Sequence, residues 1–269
     1  MGYDAYRVAE VAGNRIPYYE TGAGEPLLIH HGAESHKGQY EIFAPLLDPG
    51  LRAISYDQRD VGDAESVDAD YRMADLADDC VGLMDALGID KAHIMGISFG
   101  GAISLQVGLR HPDRVQTLIV GAAPDNLVEP TPFVEKMLAA APEDRGALMR
   151  DASLSPAAQQ DAWLMAQLDN LARAGGRGTV IALGSRRRAA MDGHDVRGQV
   201  DKITAPTLLL YGEFDPIAPP EVGERLHADL PESELVVVQG ARHGLSFEYR
   251  EQTADLVNNW VARHRIGPT

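Results

Sequence analysis

Cysteine is almost absent from this chain of 269 residues, in which Cys80 is the only one. A single cysteine cannot form an intramolecular disulfide, which is typical of proteins kept in a reducing compartment. No apolar run approaches the length of about 18 residues that a membrane-spanning helix needs. Residues 1–15 also lack the basic segment followed by an apolar one that marks a secretory signal. We therefore expect a cytoplasmic protein with no membrane partner.

Basic residues are scarce relative to acidic ones. Lysine and arginine total 24 against 40 aspartates and glutamates, so the formal net charge is −16. Nucleic-acid binding depends on basic patches that neutralise phosphates, and this balance disfavours such a partner. A net acidic charge is typical of a protein kept in solution by its charge. The exception is the range 173–202, which holds seven basic and three acidic side chains.

Short apolar runs alternate with helical patterns along the chain. Most of these runs are apolar on both sides, as in the strands of a parallel sheet that is covered on both faces. Alternating strands and helices predict an α/β fold with a mostly parallel, eight-stranded sheet flanked by helices. The predicted strands are 6–11, 16–20, 26–32, 51–57, 91–98, 115–123, 205–213 and 233–240, and the predicted helices are 73–88, 100–111, 220–230 and 247–264. A hairpin turn at Gly13-Asn14 is predicted between the first two strands.

The alternation is interrupted between Asn126 and Thr204. This stretch is rich in alanine and arginine and has almost no strand-like run. We interpret it as a helical cap inserted above the sheet. The predicted organisation is a core domain of residues 1–125 and 205–269, with the cap at 126–204.

One serine lies in a pattern that indicates nucleophilic chemistry. Ser98 is the centre of Gly96-Ile97-Ser98-Phe99-Gly100, between a predicted strand and a predicted helix. In that context G-x-S-x-G is typical of a nucleophile held on a tight turn. Side chains at the flanking glycines would clash with the turn or the helix, and the helix N-terminus favours developing negative charge.

A serine hydroxyl is a weak nucleophile and needs a base to take its proton. Of the nine histidines, His243 is the best candidate because it follows the last predicted strand and can return to the edge of the sheet that carries Ser98. Asp215 follows the strand before it and is the predicted acid that orients the base, with Asp125 as the alternative. The chain order Ser98, Asp215, His243 is the one expected of α/β-hydrolases.

The turn that follows the strand 26–32 is the predicted second half of an oxyanion hole. The backbone N–H of Ala33 would pair with that of Phe99 to hold the oxyanion of a tetrahedral intermediate. His31 and Glu34 flank this turn and are candidate substrate contacts. No metal or cofactor is expected, because adjacent histidines do not match the helical spacing of a zinc pair and no G-x-G-x-x-G or P-loop pattern is present.

Taken together, HHGAES, YDQRDVG, GISFGG, YGEFDP and GARHG resemble the α/β-hydrolase superfamily over nearly the whole chain. The chain is most similar to small capped members: enol-lactonases, cofactor-free haloperoxidase-type esterases and polyketide methylesterases. Two positions depart from the superfamily pattern. Asp60 replaces a usual glycine, and Glu34 puts a carboxylate beside the oxyanion hole, where we expect it to point away or to be paired. The serine at the elbow excludes haloalkane dehalogenases and epoxide hydrolases, which the resemblance associates with an aspartate.

The residues and the resemblance predict a serine hydrolase for a small or medium ester or lactone. Ser98 would attack the carbonyl to form an acyl-enzyme, His243 would transfer the proton, and Asp215 would orient His243. Hydrolysis of a carbon–carbon bond in a dienone or diketone uses the same three residues and remains an alternative. A receptor or scaffold with low turnover on the same fold is the alternative from another functional class.

The predicted cap contains Arg186, Arg187 and Arg188 in succession. An arginine can pair with both oxygens of a carboxylate, so we expect one of the three to bind an anionic group of the substrate. The enol-lactonases that the chain resembles act on a carboxylate-bearing lactone, which is consistent with this expectation. Successive helical residues point about 100° apart, so the others are expected to be solvated or to pair with Asp192 or Asp195.

Overall fold

A computed structural model describes residues 5–33, 35–65, 68–174 and 186–267. The strands are β1 (Ala5–Val11), β2 (Asn14–Thr21), β3 (Glu25–His30), β4 (Leu51–Tyr56), β5 (Ala92–Ile97), β6 (Val115–Gly121), β7 (Thr207–Gly212) and β8 (Ser233–Val238). They form one sheet in the order β1-β2-β4-β3-β5-β6-β7-β8. The pairs β1–β2 and β2–β4 are antiparallel and the other pairs are parallel. The predicted mostly parallel, eight-stranded sheet is thereby confirmed.

The helices are α1 (Met73–Ala86), α2 (Phe99–Arg110), α3 (Pro132–Ala139), α4 (Pro142–Ser153), α5 (Ala162–Ala174), α6 (Arg186–Asp192), α7 (Pro220–Asp229) and α8 (Arg250–Arg263). The apolar stripe of α1 is buried as its spacing predicts, and Gly88, with φ +66°, follows its end. Among the described helices, none is both long enough and apolar enough to cross a membrane.

The central strands bury side chains on both faces of the sheet. In β6, Leu118 and Val120 join the apolar cluster on the side of α1, α2 and α7, whereas Ile119 joins the cluster on the side of α8. This alternation follows from the two-residue period of a strand. Because both faces are buried, consecutive residues of these strands are apolar in the sequence.

The first hairpin turns one residue earlier than predicted. Ala12 and Gly13 have positive φ angles of 50° and 85°, and β2 already begins at Asn14. Positive φ at both central residues is typical of a two-residue hairpin turn. Alanine rarely adopts this conformation, which is why the sequence favours the turn at Gly13-Asn14.

Between β6 and β7 the described chain is helical, with α3, α4, α5 and α6 and an isolated bridge between Asn126 and Asp195. We call residues 126–204 the inter-strand segment. Its division from the core as a separate cap domain, with boundaries at 126 and 204, stays a prediction.

Candidate active site

Ser98 occupies a sharp turn between β5 and α2. Its φ of 60° and ψ of −126° are angles that L-residues adopt rarely and at a cost. Its backbone N–H donates to the carbonyl oxygen of Gly121 over 2.8 Å, which ties the turn to β6. A Cβ at Gly96 would lie 2.1 Å from the carbonyl oxygen of Gly100, and one at Gly100 would lie 2.1 Å from that of His30. The glycines around Ser98 are therefore required by backbone that approaches closely.

His243 and Asp215 form a buried pair at the same end of the sheet. His243 Nδ1 lies 2.8 Å from Asp215 Oδ2. The other carboxylate oxygen accepts the backbone N–H groups of Ile217 and Ala218 over 2.8 and 3.0 Å. An ionised carboxylate only accepts hydrogen bonds, so the pairing assigns the imidazole proton to Nδ1 and leaves the lone pair of Nε2 available.

The loop that carries His243 is held by the end of α4. The backbone N–H of His243 donates to the carbonyl oxygen of Ala152 over 3.1 Å, and that of Gly244 donates to Ser153 over 2.9 Å. A Cβ at Gly244 would lie 2.5 Å from the carbonyl oxygen of Ser153. The inter-strand segment therefore fixes the backbone of His243 directly.

Asp125, the alternative acid, has a different partner. Its Oδ2 lies 3.0 Å from Arg225 Nε and 2.9 Å from Arg225 Nη2, and its side chain is buried. The geometry thus pairs Asp215 with His243 and Asp125 with Arg225.

The Gly32–Ala33 peptide has a defined orientation. The His31 Nδ1–H donates to the carbonyl oxygen of Gly32 over 2.8 Å. This tautomer is fixed because His31 Nε2 accepts the backbone N–H of Gln58 over 3.2 Å. The N–H and C=O of a trans peptide point in opposite directions, so the Ala33 N–H points away from His31. Phe99 is the first residue of α2, and the N–H groups of a first helical turn have no partner within the helix.

His31 itself does not reach the cavity described below. It is completely buried beneath the turn, and it is not among the described residues that line the cavity. Burial, together with the positive charge of Arg187, holds the pKa of His31 well below its usual value. The prediction that His31 contacts substrate is therefore corrected: as a neutral ring, it supports the turn from behind.

The three successive arginines point to three different places. Arg188 lines the cavity and pairs with Asp192 over 2.9 Å. The Nε atom of Arg186 lies 3.6 Å from a carboxylate oxygen of Asp60. Arg187 is buried, and its Nε donates to the carbonyl oxygen of Ala33 over 3.0 Å. Of the three predicted substrate contacts, the structure places only Arg188 at the cavity, because the helical turn directs Arg186 and Arg187 elsewhere.

Of the two residues that depart from the superfamily pattern, Asp60 lies within the described part of the chain and Glu34 does not. Asp60 has a φ of 65°, a left-handed conformation that glycine adopts readily and aspartate tolerates. Glu34, the other predicted substrate contact beside the oxyanion hole, lies outside the described residues.

A cavity of about 470 Å³ joins these groups. Ser98, His243, Gly32, Ala33 and Phe99 line it together with residues of the inter-strand segment. The walls are largely apolar and include all four methionines of that segment, Met137, Met149, Met165 and Met191. Methionine is flexible and polarisable, so such a wall can adapt to different ligand shapes.

Two side-chain amides that support the site were not predicted from the sequence. The backbone N–H of Gly32 donates to Gln39 Oε1 over 2.8 Å, and Gln58 Nε2 donates to the carbonyl oxygen of His31 over 3.0 Å. Gln58 falls within the YDQRDVG motif and Gln39 within no motif. Only the fold brings these amides against the turn.

Comparison with known proteins identifies the family. The model of the alpha/beta hydrolase fold family matches residues 25–174, and a family described as TAP-like protein matches residues 187–266. A pimeloyl-[acyl-carrier protein] methyl ester esterase from Neisseria meningitidis serogroup B is 30% identical over 252 residues, covering 89% of this chain and 93% of the relative. The chain therefore belongs to the alpha/beta-hydrolase fold family and is an enzyme, and the resemblance inferred from its motifs is confirmed.

Solved structures share the architecture. An esterase from Thermogutta terrifontis superposes with a TM-score of 0.82 at 21% identity, covering 97% of this chain and all of the other. The enol-lactonase from Burkholderia xenovorans LB400 superposes with a TM-score of 0.81 at 20% identity, covering 95% of this chain and all of the other. At these identities the likeness establishes the fold alone.

Proposed function

We propose that this enzyme is a serine hydrolase that cleaves a small or medium carboxylic ester or lactone through an acyl-enzyme intermediate. The observation that carries the proposal is the pair formed by His243 and Asp215, at 2.8 Å, on the same cavity as the strained Ser98. Similarity to a methyl ester esterase, at 30% identity over most of both chains, supports the same reaction class.

In the acylation step, the Ser98 Oγ attacks the carbonyl carbon of the substrate. His243 Nε2 accepts the serine proton, and Asp215 stabilises the resulting imidazolium through its bond to Nδ1. The carbonyl oxygen becomes an oxyanion that accepts the N–H groups of Ala33 and Phe99. When the tetrahedral intermediate collapses, the C–O bond breaks and the proton on Nε2 passes to the leaving alcohol oxygen.

In the deacylation step, a water molecule replaces the alcohol. His243 Nε2 takes a proton from this water as its oxygen attacks the acyl carbon, and the same two N–H groups hold the oxyanion. The bond to Ser98 Oγ then breaks, and the proton returns to the serine. For a lactone the alcohol stays attached to the acyl group, so one ring-opened hydroxy acid leaves.

The cavity supports a substrate with a flexible apolar part. Its walls contain four methionines and several leucines, and a volume of about 470 Å³ suits a molecule of small or medium size. Arg188 is the one member of the arginine triplet that can meet an anionic group there. Because Asp192 already pairs with Arg188 at 2.9 Å, an anionic substrate would have to share or displace that partner.

A fluorophosphonate probe tests the proposal directly. The probe should label one residue, and peptide mapping should place the label on Ser98. Labelling should be lost in Ser98→Ala and kept in Ser153→Ala, a matched variant of another serine that lines the cavity. A protein that is not labelled at Ser98 would contradict the proposal that Ser98 is the nucleophile.

Hydrolysis of a carbon–carbon bond is the second candidate. A 2-hydroxy-6-oxo-6-phenylhexa-2,4-dienoate hydrolase from Burkholderia cepacia is 27% identical over 266 residues, covering 92% of this chain and 91% of the relative. A panel of p-nitrophenyl esters, lactones and dienones, ranked by kcat/KM, separates the two reactions. The ester or lactone proposal requires that a dienone not be the best substrate of the panel.

A further inference from the structure

Arg187 contacts both segments that carry the proposed oxyanion donors. It comes from α6 and is only 4% exposed. Its Nε donates to the carbonyl oxygen of Ala33 over 3.0 Å, and its Nη2 lies 3.4 Å from that of Gly32. Its guanidinium carbon lies 4.3 Å from the centre of the Phe99 ring. One buried side chain therefore touches the Gly32-Ala33 turn and the first residue of α2 at once.

These contacts determine where the Ala33 N–H points. That N–H belongs to the Gly32–Ala33 peptide, whose oxygen is held by His31 Nδ1 and approached by Arg187. The oxygen of the next peptide, that of Ala33, is held by Arg187 Nε. A turn that contains glycine can rotate its peptide planes at little steric cost. With both oxygens held from behind, the N–H stays directed away from Arg187, on the side of the cavity.

Arg187 also fixes the amide that supports the turn. Its Nη2 donates to Gln58 Oε1 over 2.6 Å, which sets the orientation of that amide. Gln58 Nε2 then donates to the carbonyl oxygen of His31 over 3.0 Å. Three successive carbonyl oxygens, those of His31, Gly32 and Ala33, are thus held by Arg187 directly or through Gln58.

The charge of Arg187 has the sign that the proposed reaction needs. Burial lowers the pKa of Arg187 to about 10, so the guanidinium remains protonated at neutral pH. A fixed cation behind the donors, in a region from which water is excluded, favours the charge that develops on the carbonyl oxygen.

We propose that Arg187 is the positioning residue of the oxyanion hole, holding the Ala33 N–H group in the geometry that binds the tetrahedral intermediate beside the N–H of Phe99. The inference rests on the proposed serine hydrolase function. It differs from the expectation drawn from the sequence, because Arg187 acts on the protein's own backbone and does not bind the substrate.

The test compares Arg187→Met and Arg187→Lys with Arg173→Met, which removes an exposed cation of the same segment. The readouts are kcat and KM on a p-nitrophenyl ester, and the inhibition constant of an alkyl boronic acid. Ser98 Oγ bonds to the boron of the boronic acid and its proton passes to His243 Nε2, so that the boron becomes a tetrahedral anion with an oxygen in the oxyanion hole. Loss of one oxyanion donor costs about 10²- to 10³-fold in kcat, so displacing one should cost at least about tenfold.

For Arg187→Met we therefore expect kcat to fall by at least about tenfold, with KM within about threefold of the parent value. The inhibition constant of the boronic acid should rise by the same factor by which kcat/KM falls. Arg187→Lys keeps the positive charge, but one ammonium group cannot reach the three oxygens of Ala33, Gly32 and Gln58 that the guanidinium contacts. We therefore expect its kcat to fall by about fivefold or more. Arg173→Met should match the parent enzyme in all three constants.

Two results would overturn the inference. In one, Arg187→Met is folded, and both its kcat and its inhibition constant for the boronic acid stay within about threefold of the parent values. In the other, the whole loss falls on KM, which would make Arg187 a ground-state substrate contact. If Arg187→Met does not fold, Arg187→Lys decides the question by the same constants. Failure of the underlying function is distinguishable, because the unsubstituted protein would then lack fluorophosphonate labelling at Ser98.

Discussion

The helix that follows Ser98 and the helices that cover the cavity are built in different ways. In α2, nine of twelve residues are buried, including three glycines that lie against backbone or packed side chains. In α3 no residue is fully buried, and the inter-strand segment meets the cavity with four methionines. The groups proposed for the chemistry are therefore held by rigid, closely packed backbone, whereas the groups proposed for substrate contact are flexible side chains.

The two regions are not independent. The carbonyl oxygens of Ala152 and Ser153, at the end of α4, hold the loop of His243. Arg187, in α6, donates to the carbonyl oxygen of Ala33 in the Gly32-Ala33 turn. The inter-strand segment thus contributes to the geometry of the proposed catalytic groups as well as to the walls of the cavity. Substitutions in the two regions should separate these contributions.

The largest effect is expected at the proposed nucleophile. Ser98→Ala removes the attacking oxygen, so kcat on the best ester should fall by roughly 10³-fold or more. The midpoint of urea unfolding should stay close to that of the parent, since only a hydroxyl is lost. A folded variant that keeps more than about a tenth of the parental rate would contradict the assignment of Ser98.

The next effect distinguishes the two candidate acids. Asp215→Asn should lower kcat by about 10³- to 10⁴-fold, because an amide no longer holds His243 in the required tautomer. Asp125→Asn changes a residue whose partner is Arg225 and should lower kcat only a few-fold. The assignment is wrong if Asp125→Asn is the more damaging substitution while both variants remain folded.

Two glycine substitutions compare the rigidity of the regions. A Cβ at Gly100 in α2 would lie 2.1 Å from the carbonyl oxygen of His30, whereas a Cβ at Gly146 in α4 meets no atom within 4 Å. Gly100→Ala should therefore lower the free energy of unfolding by about 3 kcal/mol, as overpacking does. Gly146→Ala should raise it by about 0.5–1 kcal/mol.

Urea denaturation of both variants beside the parent measures this difference. A Gly100→Ala protein as stable as Gly146→Ala would show that the backbone around Ser98 is less constrained than the close approach indicates.

The sequence predicts the rigid region better than the adaptable one. The elbow around Ser98 is recognisable because its glycines are imposed by local geometry, and the order of Asp215 and His243 follows from the alternation of strands and helices. Arg187 is different: its partners Gly32 and Ala33 lie more than 150 positions away, so its direction depends on how α6 is placed. For the same reason, sequence spacing cannot tell that His31 faces the interior.

Two buried histidines of the rigid region should make the stability of the protein depend on pH. Burial lowers the pKa of His30 to about 3 and that of His31 well below its usual value. Both stay neutral in the folded protein but take up a proton when the chain unfolds below a pH of about 6.5. The contribution of His30 to stability should therefore be complete above a pH of about 6.5 and be lost as the pH falls from about 6.5 toward 3, by up to about 1.4 kcal/mol per pH unit. The lowered pKa of His31 changes stability in the same direction.

Removing one of these histidines isolates its share. Lowering the pH from 7 to 5 should decrease the free energy of unfolding of both proteins. The decrease should be about 2 kcal/mol smaller in His30→Asn than in the parent. Urea titrations at both pH values measure this difference, and the matched variant His227→Asn changes a histidine outside the apolar core. Equal pH dependence in the parent and in His30→Asn would mean that His30 does not remain neutral on folding.

A crystal structure of the fluorophosphonate adduct would show the proposed nucleophile and oxyanion hole together. We expect phosphorus bonded to Ser98 Oγ, with the phosphoryl oxygen about 2.7–3.1 Å from the backbone nitrogens of both Ala33 and Phe99. His243 Nδ1 should remain bonded to Asp215, and Arg187 should still hold the carbonyl oxygen of Ala33. A phosphoryl oxygen directed away from those two nitrogens, or an adduct on another residue, would contradict this expectation.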